Sequence, residues 1–123
     1  MKILVCEPNK KAYVKDIEHT LENLQSIVGG LIEALYPFED DVAVVCNEEA
    51  LLLDLPLNRL VDGCPIAGTF FVCGLTNDNF TGLTDAQLKK YMAMFREPQM
   101  FLRIPLPEQE APVEPIYYDD ALF

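Results

Sequence analysis

Positive charge is scarce in this chain, which sets nine Lys and Arg and one histidine against 20 Asp and Glu, for a formal charge of −11 at pH 7. No basic run occurs; the densest cluster is Lys10-Lys11, with Lys15 nearby. A surface this negative repels phosphate and anionic lipid, so direct binding of nucleic acid or membrane through a basic field is not expected. Long hydrophobic runs are missing too. Only Ile3 to Cys6 stand between Lys2 and Glu7-Pro8, too few for a secretory signal, and no run approaches the roughly 18 apolar residues that span a bilayer. The expected location is cytoplasmic.

Reaction chemistry is equally short of its usual signatures. No two of Cys6, Cys46, Cys64 and Cys73 stand in Cys-x-x-Cys spacing, and His19 is alone, so neither a zinc site nor a catalytic pair is indicated. Cys6, Cys46 and Cys73 each end an apolar, strand-like run and read as small hydrophobes of a reduced core. The dinucleotide fingerprint and the Walker A loop are both absent. Gly29-Gly30 follows a helical stretch, whereas glycines that cradle phosphate precede one, where the helix amides face the anion. No catalytic residue, metal ligand or cofactor is therefore expected.

What is present is a foldable chain of 123 residues, 50% hydrophobic and 24% charged, within the size of one domain. Residues 1–104 hold nearly all the periodic apolar pattern and read as a single α+β domain. Residues 105–123 carry four prolines, five acidic residues and no basic one, and read as a flexible acidic tail.

Ile3 to Cys6 and Tyr13 to Ile17 have the pattern of a hairpin, as do Leu31 to Tyr36 and Val42 to Cys46 across the turn-rich Pro37 to Asp41. Leu21, Leu24, Ile27 and Val28 form a helical stripe, with Thr20 as N-cap and Gly29 at the left-handed stop. Ile66 to Cys73 reads as one strand with a bulge or close approach at Gly68. Thr84 to Arg96 is the best-defined helix: Thr84 and Gln87 make a capping box, and Leu88, Tyr91, Met92 and Phe95 share one face. Met100 to Ile104 alternates and reads as an edge strand. Together these predict a small mixed or antiparallel sheet of about six strands with two helices covering one face.

Two sets of residues stand out as candidate sites. Asn47, Glu48, Glu49, Asn58 and Arg59 form the one polar group from which a ligand or enzyme site is imaginable; an arginine in so acidic a body is either paired with a carboxylate or held for a ligand. Tyr117, Tyr118, Leu122 and Phe123 put large apolar side chains on the acidic tail, in a form that docks into a partner's groove.

The segments Lys2 to Val5 with Glu7-Pro8, Leu24 to Glu33, Val45 to Glu49, Leu55 to Arg59, Ile66 to Gly74 and Leu83 to Asp85 occur in an order that resembles the family catalogued as domain of unknown function 3846. The resemblance covers roughly residues 2 to 102 and implies a setting in plasmids, phages, conjugative elements and their bacterial hosts, gut Firmicutes included. It implies no activity or cofactor. The expected function is that of a non-enzymatic accessory protein that binds a protein partner through its acidic surface or tail. The alternatives are a small-ligand or enzyme site at the five polar residues, and an acidic body that mimics DNA.

Overall fold

A computed structural model describes residues 1–77 and 79–102. Its strands are β1 (Lys2–Cys6), β2 (Tyr13–Asp16), β3 (Ile32–Leu35), β4 (Val42–Asn47), β5 (Leu57–Val61), β6 (Cys64–Ala67), β7 (Phe70–Thr76) and β8 (Asn79–Thr81). Helix α1 spans Leu21–Val28 and α2 spans Asp85–Phe95. Six strands form one antiparallel sheet in the order β2-β1-β7-β4-β3, with β8 also on β7, while β5 and β6 pair separately. The fold is α+β.

Both expected hairpins form, with Leu4 opposite Val14 and Ala34 opposite Val45. Thr20 caps α1 by accepting from the Asn23 amide, and Gly29 ends the helix at φ +81°. The Thr84–Gln87 capping box opens α2 with both of its reciprocal bonds made.

The two helices lie on opposite faces of the sheet, not on one face as the pattern suggested. Leu24 and Val28 of α1 pack with Ile3, Val5, Ala43, Val45, Phe71 and Cys73. Tyr91 and Phe95 of α2 pack with Leu4, Cys6, Val42, Val44, Phe70 and Val72, the alternate residues of the same strands. Side chains along a strand point alternately to the two faces, so these sets cannot share a side. Val61 and Ile66 of the small sheet sit with α2. The molecule is thus layered as α1, main sheet, then α2 with β5–β6.

Two further expectations are corrected. Ile66 to Cys73 does not form one strand: the chain leaves β6, turns at Gly68 with φ +77°, and enters the main sheet as β7. A β-carbon at Gly68 would lie 2.7 Å from Leu55 Cδ1, a side-chain end free to shift, so the corner needs glycine chiefly for its left-handed backbone. Residues 100–102 belong to no strand, and the rest of the expected Met100–Ile104 strand falls outside the described residues. Among the described residues no helix is long and apolar enough to cross a membrane.

Candidate functional site

The five polar residues do not converge. Asn47, at the end of β4, is buried and turned toward α1: its Nδ2 donates to Val28 O at 3.1 Å, and its Oδ1 accepts from the Glu49 amide at 2.7 Å. The first bond covers the last carbonyl of α1, where a helix has acceptors without intrahelical partners. Glu48 and Glu49 are exposed in the turn that follows.

Asn58 and Arg59 sit on the other side of the sheet, fully buried. Asn58 Nδ2 donates to Cys6 O at 2.7 Å and to Gly68 O at 2.9 Å, joining β1 to the corner between β6 and β7. The Arg59 guanidinium uses all five of its N–H donors. Nε donates to Phe95 O at 2.8 Å; Nη1 to Asn58 Oδ1 at 2.7 Å and Glu7 O at 3.1 Å; Nη2 to Lys10 O at 2.6 Å and Arg96 O at 3.4 Å. Arg59 has neither of the roles expected of it. It holds no carboxylate among the described residues and turns no donor outward. Instead it caps the carboxyl end of α2 from a different strand, putting a positive charge where the helix dipole is negative.

A second polar cluster fixes the middle of α2. Asp40, in the β3–β4 turn, accepts from Tyr91 OH at 2.7 Å and Gln87 Nε2 at 3.3 Å, with Lys90 Nζ 3.7 Å away. The Tyr91 hydroxyl holds the Asp40 carboxyl below its ordinary range, while burial and the carboxylate together push Tyr91 up. These groups stabilise each other. Burial likewise raises the thiols of Cys6 and Cys73 to about 12 and that of Cys46 to about 11, leaving them protonated and unreactive at neutral pH. His19 packs beside Phe80, with ring centroids 6.4 Å apart.

What opens outward is a groove of about 520 Å³ between the β3 edge, the β4–β5 connection and β6. Leu35, Cys46, Ala50, Pro65, Ile66 and Ala67 make its apolar wall, and Glu33 and Glu48 stand at it. Leu51 and Leu52 line it while remaining 84% and 86% exposed, and Leu53 beside them is also exposed. Leu51 and Leu52 thus set two exposed apolar side chains at the rim of an apolar groove. The sequence signal was Ala50 to Leu53 inside a turn segment, an apolar run in a place with no strand to bury it.

Charge is also divided across the molecule. Between Lys15 and Lys89 the one Lys or Arg is Arg59, and it is buried. The corner around the groove therefore presents carboxylates with no exposed cation from that stretch of chain. Tyr117, Tyr118, Leu122 and Phe123 lie outside the described residues.

Opposed helices on an antiparallel sheet, two internal helix caps and an apolar groove with acidic margins define an α+β protein whose buried Asn47, Asn58 and Arg59 serve the fold. The chain belongs to the family described as Domain of unknown function (DUF3846), whose profile matches residues 1–96. No curated protein and no solved structure gives a significant match to the chain.

Proposed function

We propose that this protein is a non-enzymatic, cytoplasmic binding module that takes up an apolar segment of a protein partner in the groove beside Leu51 and Leu52. The observation that carries the reading is the pairing of two leucines more than four-fifths exposed with an apolar groove of about 520 Å³. Exposing such surface is unfavourable by roughly 25 cal/mol per Å², a cost that a partner's apolar side chains remove.

That volume also suits a small molecule, but such sites orient their ligand with several convergent polar groups. Here the Asn47 amide is engaged at both ends by the fold, and Asn58 and Arg59 are committed elsewhere. A DNA mimic would present carboxylates over a polar surface, whereas this acidic corner is centred on leucines. The resemblance noted in the sequence supports a role accessory to a mobile element or its bacterial host.

The test compares the intact chain with Leu51→Ser/Leu52→Ser and with a chain ending at Ile104, in pull-downs from bacterial extract. The leucine variant is expected to keep its unfolding free energy within about 0.5 kcal/mol of the parent, since both side chains are more than four-fifths exposed. The leucine double variant should lose its specific partner while the truncated chain keeps it. Equal recovery by the leucine variant would overturn the reading, and loss on truncation alone would move the contact to residues 105–123.

A further inference from the structure

The groove runs along a strand whose outer edge is open among the described residues. Strand β3 ends the main sheet and there pairs with β4 alone. The Glu48 amide donates to Leu31 O at 2.8 Å, which fixes the phase of the ladder. Leu31, Glu33 and Leu35 turn their peptide groups toward β4, and the N–H and C=O of Ile32 and Ala34 therefore point away from the sheet. The opposite edge, β2, carries Lys15, a residue type that discourages strand pairing. No groove residue comes from β2.

We propose that β3 receives an extended, cation-bearing segment of a partner protein as an added strand. One alternate set of its side chains enters the groove, and Lys or Arg within or beside it meets Glu33 and Glu48. This deepens the proposed function and rests on it.

Three observations on different levels agree. The outward peptide groups of Ile32 and Ala34 offer two donors and two acceptors, the number that a short added strand satisfies. Glu33 and Leu35 line the groove while Ile32 and Ala34 pack toward α1, so side chains on one face of an added strand meet the groove and those on the other face do not. Finally, the charge selects the occupant. A second copy docked through the same edge would set Glu33 and Glu48 against their own counterparts. Residues 105–123 would bring five carboxylates and no base. A basic segment alone turns the acidic margin into attraction, which favours encounter and orientation.

The experiment selects peptides from a random 12-residue display library on the full chain and measures synthetic copies of the enriched sequences by fluorescence anisotropy. The expected sequences alternate apolar residues and carry Lys or Arg. Leu51→Ser/Leu52→Ser should weaken them at least tenfold, and Glu33→Lys/Glu48→Lys should do the same at low salt. The peptides are then N-methylated at every second residue in each of the two phases. One phase should lose at least tenfold, because its N–H groups bond Ile32 and Ala34, and the other should bind nearly as before.

Peptides that need the leucines but tolerate methylation in both phases would overturn strand addition and leave the groove standing. No enrichment, or peptides indifferent to the leucine substitutions, would overturn both readings. Self-association of the free chain that the peptides reverse would assign the edge to a second copy and overturn the cationic partner.

Discussion

The two helices end in different ways, and the contrast separates what is local in this fold from what is not. Helix α1 stops on its own sequence: Gly29 takes φ +81° and its amide bonds Gln25 O, with Asn47 covering Val28 O from the neighbouring strand. Helix α2 has no glycine at its end, and Arg96 keeps a right-handed helical backbone. Its terminal carbonyls are met by Arg59, 36 residues earlier in the chain. One stop is written beside the helix; the other depends on the small sheet being seated.

Substitution should expose this asymmetry most at Arg59. Arg59→Met removes all five donors; Arg96 O keeps the Ala12 amide and Glu7 O the Lys10 amide, so Phe95 O, Lys10 O and Asn58 Oδ1 are left without a donor, and at roughly 1–3 kcal/mol for each the expected loss is about 3 kcal/mol or more. Arg59→Lys keeps the charge but offers three donors from one point, so it should recover less than half of that loss. Urea unfolding midpoints measure both; a lysine variant as stable as the parent would show that charge, and not the five-way fork, closes α2.

Asn47→Ala tests the equivalent bond at α1 and should cost about 1–2 kcal/mol, because Gly29 still ends the helix without it. Gly29→Ala should cost about 1 kcal/mol, from the left-handed backbone alone, since a β-carbon there meets nothing within 4 Å. A loss at Asn47 as large as that at Arg59 would erase the distinction between the two ends.

The smallest expected effect is a pH dependence in the middle of α2. The folded Asp40 carboxyl titrates below its unfolded value, chiefly through the Tyr91 hydroxyl. Its contribution is therefore present above the unfolded pKa and lost as pH falls through the folded one. Asp40→Asn should flatten part of the acid limb of the stability curve and leave stability at pH 7 and above least changed in slope; an unaltered acid limb would remove Asp40 from the balance.

The local half of this architecture was legible. Thr20 with Asn23, Gly29 with Gln25 and Thr84 with Gln87 each bond within four residues along their helices, so their spacing carries their geometry. The helices' opposed placement was also written in the chain, in unbroken apolar runs such as Val42 to Cys46. A strand covered on one face alternates, and one covered on both does not. The β5–β6 hairpin had its own signal in Asp62-Gly63, both with positive φ, a pair that favours two-residue turns. The role of Arg59 had none. Its acceptors are backbone carbonyls of Glu7, Lys10, Phe95 and Arg96 together with the amide of its neighbour Asn58, and main-chain oxygens leave no trace in residue identity. The groove was half legible: four apolar residues from Ala50 to Leu53 were visible, but their exposure depends on where β3 and β6 come to rest.

The Arg59 cap also sets an order on synthesis. Of the described elements, α2 is the last to be made, and two of the five acceptors, Phe95 O and Arg96 O, belong to its closing turn. A nascent chain that has reached only β8 offers the guanidinium three of its five acceptors, Glu7 O, Lys10 O and Asn58 Oδ1, so its set is completed only when the end of α2 arrives. The amino-terminal hairpins are free to pair earlier. The small sheet and the last helix thus complete each other's polar contacts across 36 residues of chain.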